Sequence, residues 1–400
     1  METSTSKNKS LLKLLIFTSF LTEPIVSLHF LFDYTAIIDF VVMLVLMILA
    51  YSRRGTPKTL TNISKIVLLS LGFIILKSFV VDGFGSVFGS ELGQYMKTFF
   101  SLIYLFICYT LFEEKKLIIN FRIWEKFIFF VCICTIISII LYRTGFNFLF
   151  IKKDILNYPC EQLPFVGLVH YDDNAKIRPS WFFQEPSYLG DFLGFNFMMV
   201  SRYYLKYRKW KKTLIYILTI LITGSMTGVG CTLIAFTIYL IQKRISFLNN
   251  HSVLVKIVMV VLLPTAMTVY STFDIQELKD QSSIVGGSSI STRQARMAYG
   301  LEQIATATPN QLIWGRGKRF NEDFGLGVSN CYVQLLCADG ALVLMFFLIL
   351  VYVLLKRSDY EYYYMVIAMN AISLSFLPFI FLMMLVANQY YKNDINAILA

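Results

Sequence analysis

A chain of 400 residues that is 56% hydrophobic, 16% aromatic and only 15% charged cannot bury its apolar surface in one water-soluble core. Composition therefore excludes an ordinary globular protein and points to repeated passage through a membrane. The net charge of +11 does not imply nucleic acid, because the basic residues sit in short clusters between apolar runs, where they set topology and meet anionic lipid head groups.

In chain order, Lys7, Lys9 and Lys13 precede an apolar run without a small-residue cleavage site. That run is expected to be a retained helix over about 11–32, broken near Glu23-Pro24. Further apolar runs at about 36–51, 66–81, 97–112 and 127–142 predict four more helices. They are separated by the basic loop Arg53 to Lys65, a Gly-rich loop with Asp82 and Glu91, and Glu113-Glu114-Lys115-Lys116. A first large loop, 143–185, ends in RPSWFFQEPSYLGDF, Arg178 to Phe192. Pro186 marks a helix start there, since a proline in the first turn has no partner to lose, and Glu185 falls at or beside the N-cap. The free N–H groups of that turn and the guanidinium of Arg178 together suit a phosphate. Arg178 and Glu185 could equally be an ion pair that staples the loop to the helix end.

The helix from Pro186 ends in SRYYLKYRKWKK, the most basic cluster in the chain. The apolar stretch at about 214–241 is interrupted by TGSMTGVG, Thr223 to Gly230, and predicts two helices around a short turn, with another at about 253–271. In the second large loop, 272–328, Ser291 and Gln294 have the spacing of a capping box, and Met297, Leu301 and Ile304 form an apolar stripe. Arg293 and Arg296 then share one face near the start of that helix, where its dipole disfavours cations. Either an anion is held there, or the stripe rests on the membrane and the arginines meet lipid phosphates. IWGRGKRF, with Arg316, leads through glycines to a helix start at Ser329-Asn330. The last apolar run, about 362–388, contains Pro378 and is too short for two full spans. The expected fold is an all-α polytopic membrane protein, one integral membrane domain of about 11 or 12 helices with two large outer loops.

Charge alternation orients it. Roughly 22 of the 36 basic residues fall in clusters on one side, which the positive-inside rule assigns to the cytoplasm together with the N-terminus. Arg143, Arg178, Arg293, Arg296, Arg316 and Arg319 are then concentrated in the two loops on the other side. The cysteines at 108, 132, 134 and 231 lie in apolar runs and behave as small hydrophobes, which leaves Cys160 and Cys331 as the pair able to form a bridge. The sequence has no Walker-type loop, no GxSxG elbow and no paired His/Cys ligand spacing; its histidines are His29, His170 and His251. No metal or other cofactor is expected.

Several features together resemble one family: R-x-x-x-F-F-x-E-P-S-x-x-G at the end of the first loop, the interrupted T-G-S-x-T-G helix pair, and a second loop leading through G-x-G to S-N-C-Y-V-Q-L-L. Over about 178–347 the order of these motifs is similar to that of the bacterial O-antigen polymerase (Wzy-type) and O-antigen ligase superfamily. The resemblance implies a glycosyltransferase-C-like architecture in the inner membrane and a metal-independent, inverting glycosyltransfer at its periplasmic face. It also implies undecaprenyl-diphosphate-linked oligosaccharide as both donor and acceptor, with membrane lipids and a chain-length regulator protein as further partners. The diphosphate would be held by Arg178, Arg293 and Arg296, where fixed guanidinium groups stabilise charge developing on the leaving group. Glu185 would take the acceptor's proton, with His170 or Asp172/Asp173 behind it, and Ser187, Tyr188, Arg316 and Asn330 are secondary candidates. Two positions depart from the family pattern: Met226 stands where an arginine is common, and Ser329 where ligases carry a histidine. The alternatives are the ligase, which transfers to lipid A core, and a non-enzymatic flippase or transporter.

The topology is checked by labelling. Lys176→Cys and Gln281→Cys should react with a membrane-impermeant thiol reagent in intact spheroplasts and Lys209→Cys should not; the reverse pattern inverts the orientation.

Overall fold

The computed structural model describes residues 48, 62–79, 99, 102–103, 105–107, 109–110, 121–155, 158–163, 166–171, 177–181, 183, 185–260, 289–317, 320, 330–370 and 377–392. The helix expected at about 11–32, all but residue 48 of that at 36–51, half of that at 97–112 and the second half of that at 253–271 lie outside the described residues. What is described is predominantly helical. The helices are α1 (Asn62–Lys77), α2 (Phe121–Arg143), α3 (Pro186–Lys206), α4 (Trp210–Ile222), α5 (Met226–Arg244) and α6 (Ser246–Asn250), then α7 (Ser289–Ala305), α8 (Pro309–Trp314), α9 (Cys331–Leu355), α10 (Tyr360–Ala368) and α11 (Leu377–Lys392). Residues 252–260 are also helical. Among the described residues, α2, α5 and α9 are long and apolar enough to cross a membrane.

The first loop corrects the all-α expectation. Strands β1 (Ile151–Ile155), β2 (Tyr158–Leu163), β3 (Gly167–Tyr171) and β4 (Ile177–Trp181) form one antiparallel sheet in the order β1-β2-β3-β4. These strands are five or six residues long and mix polar with apolar positions, so period-2 alternation is faint in them. The sheet is anchored on α2. Trp181 lies edge-on to Phe127 and Phe130 (5.9 and 6.5 Å between ring centroids). Gly167 lets β3 pass over it, since a Cβ there would come within 3.0 Å of Trp181 Cα and 3.1 Å of Ser138 Oγ.

The last apolar run is also not one helix. It forms α10 and α11, with Pro378 in the first turn of α11, where a missing N–H costs nothing. All nine residues of α10 are buried.

α3 and α5 run in the same direction, with Gly190 beside Gly228, Gly194 beside Thr232 and Arg202 beside Tyr239. Lys206, Arg208, Lys209, Lys211, Lys212, Lys356 and Arg357 collect at what is here termed the basic end. There Lys243 and Lys256 pair with Asp359 (2.9 and 3.1 Å), and Lys212 with the buried Glu125 (3.1 Å). Arg202 of α3 donates to Tyr391 Oη (3.1 Å) and to Tyr239 Oη, and Tyr391 donates in turn to the buried Glu361 (3.1 Å). This phenol-bridged pair ties α3, α5, α10 and α11 together. The sheet and the N-terminus of α3 lie at the other end, termed the loop end.

The tightest contact in the core is the crossing of α3 and α5. A Cβ on Gly228 would fall 2.6 to 2.8 Å from the backbone of Gly190, and one on Gly190 would fall 2.6 Å from Ser225 Cβ. One turn further on, a Cβ on Gly194 would fall 2.4 Å from Thr232 Oγ1 and 2.6 Å from Tyr364 Oη. The two backbones touch because the small residues at 190, 194 and 228 leave nothing between them. Gly228→Ala should therefore lower the thermal melting temperature of the purified protein, since the clash is with backbone and costs about 1–3 kcal/mol. Gly230→Ala, where no atom lies within 4 Å, should be neutral or raise it through helix propensity. Equal melting of the two variants would remove the crossing as a source of stability.

Candidate functional site

The sheet delivers a polar row to the loop end of α3. Cys160, His170 and Arg178 stand directly opposite one another on β2, β3 and β4, so their side chains share one face. Arg178 reaches the turn between α4 and α5, where its Nε donates to Thr223 O (3.2 Å). That carbonyl is at the C-cap of α4, where a cation satisfies an orphan acceptor and suits the dipole. Gly224 turns the chain with φ 59, and a Cβ there would lie 3.4 Å from Arg178 Nε. Ser225 then caps α5 by accepting from Gly228 N (2.9 Å). The T-G-S-x-T-G interruption is thus a paired helix end and helix start with Arg178 lying over it.

Glu185 is the N-cap of α3, and Pro186 opens the helix as the spacing predicts. Its carboxylate does not cap the helix; instead Oε2 accepts from Ser187 Oγ (2.8 Å). Tyr188 is partly buried against the main core. Asp191, one turn further on, is buried and accepts from Tyr364 Oη (3.2 Å).

His170 is 6% exposed, and its Nε2 has no hydrogen-bond partner among the described residues. Burial, and then the charge of Arg178, push its pKa down to about 4. The imidazole is therefore neutral at ordinary pH, able to hydrogen-bond a hydroxyl but a weak proton acceptor.

The second loop is built differently from its sequence reading. α7 already includes residues 289 and 290, so Ser291 and Gln294 lie inside the helix rather than forming its capping box. The capping box that forms is Thr308 with Gln311, which opens α8. Arg293 and Arg296 accordingly sit beyond the first turn, where the dipole falls away, so their expected electrostatic cost there is not a guide to an anion. The Arg293 side chain is outside the described residues. Arg296 has a buried Nε that makes no hydrogen bond among the described residues. Arg316 donates from Nη1 to Gln303 Oε1 (2.6 Å) of α7 and from Nη2 to Thr306 Oγ1 (2.8 Å) just beyond its end. Gln303 is two turns from Arg296, so Arg296 and Arg316 share one side of α7. Asn330 is a structural cap of α9: its Oδ1 accepts from Val333 N (3.1 Å) and its Nδ2 donates to Asn370 Oδ1 (3.2 Å).

Two basic groups therefore form at one end of the bundle: Arg178 with His170 and Glu185, and Arg296 with Arg316. α10 links them. Tyr364 of α10 bonds Asp191 of α3, while Met369 just beyond it accepts from Cys331 N at the start of α9 (2.8 Å). Lys77, Asp191 and Asp339 are charged residues within apolar runs, and all three are buried. The signal for the last was an Asp-Gly step inside the apolar run CADGALV. Cys160 and Cys331 carry thiols, each buried, and form no bridge with one another. Among the described residues, no group of three or more His, Cys, Asp or Glu side chains is placed to hold a metal. No family model, curated protein or solved structure matches the chain.

The buried His170 carries a pH signature. Its folded pKa lies below the ordinary histidine value of 6.5, so its contribution to stability is complete above about pH 6.5 and is lost as pH falls through 4. The melting temperature should fall across that window, and His170→Asn should flatten the fall. Arg178→Gln should flatten it only in part, since burial is the larger cause. An unchanged acid limb in His170→Asn would place the neutral imidazole in doubt.

Proposed function

We propose that this chain is a polysaccharide polymerase of the bacterial inner membrane, joining undecaprenyl-diphosphate-linked oligosaccharide units at the periplasmic face by an inverting, metal-independent glycosyltransfer. The reading includes a cytoplasmic N-terminus, about 11 or 12 spans and a glycosyltransferase-C-like arrangement. The observation that carries it is Arg178: a fixed guanidinium seated on the α4–α5 turn, in one strand row with a neutral imidazole, on the strand that leads to α3 with Glu185 at its N-cap. The loss of a polyprenyl diphosphate leaves negative charge, which preorganised guanidinium groups stabilise without reorganisation. A carboxylate can take the acceptor hydroxyl's proton. In this assignment Arg178, Arg293 and Arg296 hold the diphosphate, Glu185 is the base, and His170 orients a sugar hydroxyl.

Ser329, at the position of the ligase histidine, favours polymerase over ligase. Against a transporter, the buried charges fall into two separate groups. Lys77, Asp191 and Asp339 lie towards the loop end, and Glu125, Lys256 and Glu361 at the basic end. Polar core groups such as Asn196 and Tyr360 are engaged in hydrogen bonds between helices.

The glycan phenotype of a deletion strain tests the reading. A single repeat unit on the core supports a polymerase, accumulation on undecaprenol outside indicates a ligase, and accumulation inside indicates a flippase. Arg178→Lys and Arg293→Lys should each abolish long-chain polymer while the protein still accumulates. Loss of one fork-shaped contact at developing charge costs about 3–4 kcal/mol, roughly a hundred- to thousand-fold in rate. Normal chain length in both variants would reduce these arginines to structural staples.

A further inference from the structure

Helix α9 is broken at Gly340 (φ 86, ψ 172), and the break is filled from three sides. The carbonyls of Cys337 and Ala338 accept from the backbone N–H groups of Arg316 (2.7 Å) and Gly317 (3.1 Å). Two glycines make this approach possible. A Cβ on Gly340 would fall 2.2 Å from Ile313 O, and one on Gly315 would fall 2.3 Å from Ala338 O. The ring of Trp314 stacks on Phe73 of α1, with centroids 5.9 Å apart. Lys77, one turn beyond Phe73, donates from Nζ to Ala338 O (3.2 Å) and stands 4.0 Å from Asp339 Oδ1, with the two side chains 1% and 4% exposed.

An ion pair so deeply buried is poor as a source of stability, because desolvation offsets most of its attraction. Such a pair between apolar helices instead marks a place where geometry is specified. Here that geometry is the break in α9, which seats the strap Gly315–Gly317 and so places Arg316, whose guanidinium reaches Gln303 and Thr306. We propose that Lys77 and Asp339 are positioning residues for Arg316, fixing it from a helix more than two hundred residues earlier in the chain. The proposal rests on the diphosphate reading of the site and adds Arg316 to its contacts.

The test uses the full-length chain purified in detergent, with inorganic pyrophosphate as the probe and binding followed by calorimetry. Trypsin cleavage of the Arg316–Gly317 bond, followed by fragment mass, reports on the strap itself. Lys77→Met and Asp339→Asn should each weaken pyrophosphate binding about tenfold and speed that cleavage, while Lys77→Arg remains close to wild type in both. Asp339→Asn is the decisive variant. If Lys77 were only a cation in the local field, removing its carboxylate would tighten binding, whereas loss of positioning weakens it. Tighter binding in Asp339→Asn, or an unchanged cleavage rate in Lys77→Met, overturns the proposal. Should both single variants fail to accumulate, the double variant Lys77→Asp with Asp339→Lys decides. Recovery of binding and protection supports positioning, and failure of either overturns it. Wild-type binding in both Arg178→Lys and Arg316→Lys would defeat the diphosphate reading alone, because the cleavage rates still report whether the pair holds the strap.

Discussion

The contact on which the rest depends is the backbone-to-backbone crossing of α3 and α5 at Gly190 and Gly228. Because nothing separates the two chains there, the start of α3 and the turn before α5 are fixed relative to each other to within a side chain's reach. Glu185 belongs to the first and Thr223 to the second, so the crossing sets where the carboxylate stands relative to the carbonyl that receives Arg178. The sheet supplies the guanidinium and the crossing supplies its seat. In apolar surroundings, where hydrophobic burial gives little preference between helix pairs, such close packing and a few interhelical hydrogen bonds do the selecting.

Around that crossing the polar groups of the core are placed rather than scattered. Tyr360 and Tyr364 of α10 bond Gly194 O (2.8 Å) and Asp191 (3.2 Å) of α3. Trp124 of α2 donates to Asn196 Oδ1 (2.8 Å), also on α3. With Tyr216 of α4 bonding Leu193 O (2.6 Å) and Arg202 bonding Tyr239 of α5, α3 is joined to α2, α4, α5 and α10, which makes it the hub of the described bundle. The helix that presents Glu185 is accordingly held along its length, and a carboxylate at its N-cap has a rigid support.

Much of this was legible in the sequence, and the failures have physical causes. Pro186 after Glu185, the turn within TGSMTGVG and the cap at Asn330 are written in local backbone chemistry, and local chemistry can be read one residue at a time. The sheet at 151–181 was missed because its strands are short and their pairing is a tertiary fact; Cys160, His170 and Arg178 become neighbours only when β2, β3 and β4 align. The capping box was assigned to Ser291 because an S-x-x-Q spacing looks the same inside a helix as at its start. Lys77 and Asp339 could not be paired in advance, since nothing in either segment names the other. An Asp-Gly step in an apolar run was nonetheless a sign of a broken helix.

Helix α10 has a consequence for biogenesis. At nine residues it is about 14 Å long, roughly half of a bilayer's hydrocarbon thickness, and it carries Glu361 and four tyrosines, at 360, 362, 363 and 364. The tyrosine hydroxyls bond Gly194 O, Lys256 O, Gln242 Oε1 and Asp191 Oδ1, all on segments synthesised earlier. Such a segment has too little apolar length to partition into lipid by itself. Its hydroxyls are instead matched one by one by polar partners on α3, α5 and the helix at 252–260, so those three elements must be in place before α10 can be seated.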